Sequence, residues 1–200
     1  MNTNKLQVFV FAMLFVVGAF TGCVDEDDDD KTTTDNTIKI GFLNPITGPL
    51  EPDAPGFKWG ADQAISDLAK MYPDETFELV ELDSGCSGDV AGPAAQTLVD
   101  SGVVAVVGAA CSGASMSANA VLAAAGIPMI SYASTNPGLS DEAKYPHFYR
   151  NVPSDAIQGP AGAAMMADAG VTNESLAILH MTNDYGIGLA DSIISAWEVN

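Results

Sequence analysis

The sequence predicts an α/β protein built on a parallel sheet flanked by helices. Short apolar, β-branched runs alternate with stretches of helix-forming composition, and each run ends in a polar turn. The clearest repeat unit is residues 103–137, VVAVVGAACSGASMSANAVLAAAGIPMISYASTNP, which reads strand, turn, helix, strand, turn. Two parallel strands joined by a right-handed helix crossover leave their exit turns side by side at one sheet edge, where open α/β sheets bind ligands. The first turn offers free N–H groups at a helix start plus the Ser112 hydroxyl, which suit an anion such as a carboxylate. The second, ASTNP, offers carbonyls and the Thr135 hydroxyl, which suit an ammonium.

The elements follow in order. IKIGFLN, from Ile38, is a strand, and NPITGPLEPDAPG is a loop held by Pro and Gly. Residues 57–71 form a helix with Trp59, Ala64, Ile65 and Leu68 inward. TFELVEL alternates as a strand does, and DSGCSG is a turn. Asp89 caps the next helix, with Pro93 in its first turn. VVAVVG, the helix ending at Gly126, and IPMISY come next. HFYRN reads as a crossing strand. Ser154 or Asp155 opens a helix, ESLAILHM is a further buried strand, and DYGIGLADSIISAWEVN is a turn and helix.

Composition removes several function classes. The 200 residues carry a net charge of −19. Nucleic acid needs clustered Lys and Arg, so it is not a partner. No nucleophile elbow, phosphate-binding glycine loop, H-E-x-x-H or dinucleotide fingerprint occurs, so no enzyme is expected. Cys111 lacks a His placed to activate it. His147 and His180 read as structural. No cofactor or metal is expected, since two Cys without nearby His do not fill four zinc positions. Asn173-Glu174-Ser175 matches a glycosylation acceptor, a short pattern with little specificity.

The N-terminal residues read as an address. A 15-residue apolar run, Leu6 to Phe20, has the length of a signal-peptide core. Thr21-Gly22-Cys23 resembles a lipoprotein cleavage site, although Phe20 stands where Leu is usual. Residues 1–22 are then a signal peptide, Cys23 takes lipid, and residues 23–37 form an acidic, solvated linker. The folded part lies outside the cytoplasm, tethered to a membrane. Cys86 and Cys111 each end a strand at the same sheet edge, which permits a disulfide in an oxidising compartment; two free thiols are the alternative.

Five pieces, IKIGFLNPITGPL, DSGC, VVGAACSG, PMISYASTNP and NDYGIGLA, together resemble type I periplasmic binding proteins, in particular the branched-chain amino-acid receptors of ABC importers. The resemblance implies two α/β lobes that close on a ligand. Residues 38–155 would be a nearly complete first lobe, and residues 156–200 a connector and a truncated start of the second. It implies that Ser112 and helix N–H groups hold a ligand carboxylate, that the carbonyl of Ala133 receives the ammonium, and that Thr135 bridges both groups, with Ser134 in the same loop. Tyr185 would come down from the second lobe. An amino acid or similar zwitterion and an ABC permease are the implied partners; a sensory-receptor ectodomain of the same fold is the alternative. The loop EPDAPG lacks the aromatic usual in branched-chain receptors, which admits polar or acidic-tolerant ligands. The family's acidic partner for the ammonium falls past Asn200.

Overall fold

The computed structural model describes residues 37–199; the expected signal peptide, lipid-bearing Cys23 and acidic linker to residue 36 lie outside them. The core is one five-stranded parallel sheet in the order β2-β1-β3-β4-β5. Its strands are β1 (Thr37–Asn44), β2 (Thr76–Asp83), β3 (Ala105–Val107), β4 (Met129–Ser131) and β5 (Phe148–Arg150). The helices are α1 (Ala54–Met71), α2 (Gly88–Asp100), α3 (Ser112–Ala124), α4 (Asp155–Asp168) and α5 (Asp184–Val199). Strand order reverses between β1 and β3, so the turns leaving β1, β2, β3 and β4 gather at one edge.

Helices α2 and α3 pack together over one face of the sheet. Their small and aliphatic residues Ala91, Ala95, Leu98, Ala114, Ala118 and Leu122 meet Leu43, Val106 and Met129 there, all fully or nearly fully buried. A Cβ on Gly41 would stand 2.9 Å from Leu98 Cδ1, so a glycine in β1 lets α2 settle close to the sheet. Alternation puts Phe42 on the opposite face. There Tyr132 meets Phe42 and Phe57 of α1, with ring centroids 5.9 and 4.9 Å apart.

Several local expectations change. In α1 the inward stripe is Phe57, Ala61, Ile65 and Leu68; Trp59 is 67% exposed and Ala64 is exposed as well. Residues spaced by three or four share a helix face, and Trp59, two residues from both Phe57 and Ala61, points away from it; Ala64 has the right spacing but sits at the solvent margin of the stripe. Ser87, not Asp89, caps α2: its Oγ accepts from the Asp89 N–H at 3.2 Å. Starting the helix two residues earlier carries Pro93 beyond the first turn and into the helix interior. Residues 174–181 form no strand, and Leu179 is 99% exposed. Apolar composition is not enough here, because a strand needs a neighbour to take its N–H and C=O groups and no described strand lies beside this segment. HFYRN does form a strand, and it joins the sheet as the parallel edge beside β4. Helices α4 and α5 pack on each other, and α5 also touches α3 and the 3₁₀ turn Pro137–Ser140.

Candidate functional site

The four exit turns and the start of α5 enclose a cleft of 690 Å³. Pro49 and Leu50 form its wall from the loop after β1. The turn after β2 adds Cys86, and the turn after β3 adds Cys111, Ser112 and Gly113. Ala133 and Thr135 come from the loop after β4, and Tyr185 with Asp184 from α5. Ser112, Ala133, Thr135 and Tyr185 are thus brought together. A larger hollow of 850 Å³ lies between the end of α4 and Trp197, away from the sheet edge. Among the described residues no group of three or more His, Cys, Asp or Glu could hold a metal. No described helix is long and apolar enough to cross a membrane.

Ser134 is not part of the cleft lining. Its side chain is buried and bonds to the carbonyls of Ala109 and Ala110 and to Ser115 Oγ. Ser115, Ser131 and Ser134 all reach the Ala109 carbonyl, at 3.2, 2.6 and 3.1 Å. Three buried hydroxyls on one carbonyl weld the turn after β3 to the loop after β4, which fixes the spacing of the two polar turns. Alternation along the loop turns Ser134 inward while Ala133 and Thr135 face the cleft.

Cys86 and Cys111 are joined by a disulfide, with Cα atoms 5.1 Å apart. It ties the turn after β2 to the start of α3. A second tie is Asp83, whose carboxylate accepts from the Thr47 hydroxyl at 2.5 Å, the Thr47 N–H at 3.1 Å and the Gly85 N–H at 2.8 Å. Gly48, at φ 91°, passes so close to the Gly85 carbonyl that a Cβ would collide with it. The wall carrying Pro49 and Leu50 is held by these contacts.

The two hydroxyls facing the cleft are set in opposite senses. Ser112 is 2% exposed, and its Oγ accepts from the Asn136 N–H at 3.3 Å. Its own proton is left to donate. Beside it the N–H groups of Ser112, Gly113 and Ala114 open α3 and have no intrahelical acceptor, since the first return bond runs from Ser115 to Cys111. Thr135 does the reverse: its hydroxyl donates to Asp155 Oδ2 at 2.8 Å, leaving its lone pairs to accept. Asp155 N–H in turn donates to the Thr135 carbonyl at 2.9 Å. Asp155 is fully buried and its Oδ1 has no partner. Arg150 grips the same loop from behind, donating to the carbonyls of Asn136 at 2.9 Å and Ser134 at 3.4 Å.

Asp155 and Arg150 were not singled out as site residues in the sequence. Arg150 is the one arginine in the chain, which is the signal that could have found it. Asp155 carried no comparable mark, because a helix-opening Asp is ordinary.

Buried Asp155 and half-buried Asp83 have opposite pH signatures. Burial pushes Asp155 up, ahead of the Thr135 hydroxyl and Arg150, which pull it down, and the net shift is upward. Burial also pushes Asp83 up, but the Thr47 hydroxyl and the N–H groups of Gly85, Thr47 and Ile46 outweigh it, and the net shift is downward. A depressed carboxyl contributes stability above its unfolded pKa of about 3.9, lost as pH falls through the folded value. A raised one lets stability fall as pH rises from about 3.9 through the folded value. Asp83→Asn should therefore flatten the acid side of the stability profile, and Asp155→Asn the decline above it. Urea unfolding from pH 3 to pH 7 checks both; identical profiles in either variant would contradict its assignment.

Residues 60–198 match the family model described as receptor family ligand binding region. That match covers more than half of the chain. The chain belongs to this family. Within it, the leucine-specific-binding protein of Salmonella typhimurium is 32% identical over 158 residues, covering 78% of this chain and 42% of that protein. The metabotropic glutamate receptor-like protein E of Dictyostelium discoideum is 30% identical over 158 residues, covering 78% of this chain and 18% of that protein. Among solved structures, an ABC transporter substrate-binding protein from Desulfitobacterium hafniense in complex with Leu superposes with a TM-score of 0.66 at 28% identity, over 82% of this chain and 48% of that one. This member of the family therefore spans less than half the length of these relatives. Fold and family are those of ligand receptors related to Leu/Ile/Val-binding proteins and not of enzymes.

Proposed function

We propose that the protein is an extracytoplasmic receptor for an amino acid or similar zwitterion, which it delivers to an ABC importer. The observation that carries this is the opposed polarity of the two cleft hydroxyls. Ser112, with three free N–H groups, presents donors. Thr135, committed to Asp155, presents an acceptor beside the Ala133 carbonyl. A carboxylate and an ammonium on one carbon need that pairing and little net charge. Pro49, Leu50 and the disulfide line the cleft's far wall and favour a neutral, apolar side chain over an acidic one. The relatives named for leucine support the same ligand class. Cys23 is the proposed lipid attachment point, following a cleaved signal peptide, and the anchor would keep the receptor beside its permease.

The likeness to a receptor-like protein favours a second reading, a sensory ectodomain. Mass spectrometry of small molecules retained by the purified protein, followed by calorimetry with L-leucine, L-glutamate and 4-methylpentanoate, tests the first. Leucine binding that exceeds binding of the des-amino acid is expected. Equal binding of leucine and 4-methylpentanoate would remove the ammonium seat and the proposal with it. Preference for glutamate would favour the sensory reading.

A further inference from the structure

Asn136 joins two parts of the cleft to the turn that follows it. Its N–H donates to Ser112 Oγ, the hydroxyl of the anion turn. Its Oδ1 accepts from the Gly138 N–H at 2.7 Å and closes the 3₁₀ turn that follows. Its Nδ2 crosses to α5 and donates to the Asp184 carbonyl at 2.5 Å. It also directly follows Thr135. The crossing is close on both sides. A Cβ on Gly188 of α5 would collide with the Asn136 amide, and a Cβ on Gly113 of α3 would collide with the Asp184 carboxylate. Two glycines therefore make room for α5 to seat its first turns, Tyr185 among them, against the sheet edge. Asn136 is 9% exposed, so this bond is shielded from water.

We infer that Asn136 is a positioning residue that couples the ligand seat to the docking of α5. This inference rests on reading the cleft as an amino-acid seat. A ligand that orders Ser112 and Thr135 also orders the Asn136 backbone between them. That backbone aims the amide that holds Asp184 and, with it, Tyr185. The cost of fixing the loop is then met once, for ligand and helix together. Asn136 itself stands outside the cleft lining.

Two substitutions separate coupling from simple turn formation. Asn136→Asp keeps the acceptor for Gly138 and loses the donor to Asp184. Gly188→Ala leaves Asn136 intact and improves helix propensity, yet pushes α5 off the amide. Stopped-flow kinetics with L-leucine should show dissociation about fivefold to tenfold faster in both, with association little changed, as the loss of one shielded hydrogen bond implies. Hydrogen exchange of residues 184–192 should quicken in both variants even without leucine. Unchanged dissociation and unchanged exchange in both variants would overturn the inference, as would a defect seen in Asn136→Ala alone, which marks a turn cap. Faster exchange in a protein that takes no amino acid at all would leave the docking contact standing, and would refute both the amino-acid seat and the coupling to it.

Discussion

Replacing Cys86 and Cys111 together with serine is expected to lower stability by about 3 kcal/mol on the chain-entropy estimate for a loop of this length. The bridge closes a 25-residue separation, and reduction frees that loop in the unfolded chain. The native state also loses a tie, because the disulfide clamps the turn after β2 to the opening residues of α3. Cys86 sits at φ 52°, a conformation most residues avoid, so the released turn has reason to relax. Both cysteines line the cleft, and weaker ligand binding should accompany the stability loss. Guanidinium unfolding of the oxidised protein and the double variant checks this. A midpoint unchanged within error would show that the bridge restrains neither state. Asp83, which holds the same edge through Thr47 and Gly85, sets how far the turn can drift.

Thr135→Val and Ser112→Ala should each weaken amino-acid binding by about 1–3 kcal/mol, the usual cost of leaving a charged ligand group short of a partner. Their specificities should differ, and that difference is the stronger test. Thr135→Val should lose its effect against 4-methylpentanoate, which has no ammonium. Ser112→Ala should lose its effect against 3-methylbutylamine, which has no carboxylate. Asp155→Ala should behave like Thr135→Val toward ligands, since it removes the acceptor that takes the Thr135 proton. Calorimetry of each variant with leucine, 4-methylpentanoate and 3-methylbutylamine reads the pattern. Equal losses across all pairs would mean that the substitutions disturb the turns and not one head-group contact. Both turns stay braced by the buried serines at the Ala109 carbonyl, so folding should change little.

Strand and helix alternation as far as α4 and the gathering of polar turns at one edge were legible in the sequence, which permitted a Cys86–Cys111 bond that the structure shows formed. These are properties of period and order: a strand repeats every two residues, a helix every 3.6, and right-handed crossovers send successive turns to the same side. That order pointed to Ser112 and Thr135 as polar turn residues, whereas Ala133 and Tyr185 came from the family resemblance; all four line one cleft. Which way the hydroxyls point is set by the tertiary structure. The Thr135 hydroxyl is turned to donate to Asp155, twenty residues on, and the Ser112 oxygen to accept from the Asn136 N–H. The tertiary structure also turned Ser134 into the core, brought Arg150 behind the loop and left residues 174–181 outside the sheet. A hydrogen bond's direction and a strand's existence depend on a second partner brought close by the fold, and a local pattern carries no record of that partner.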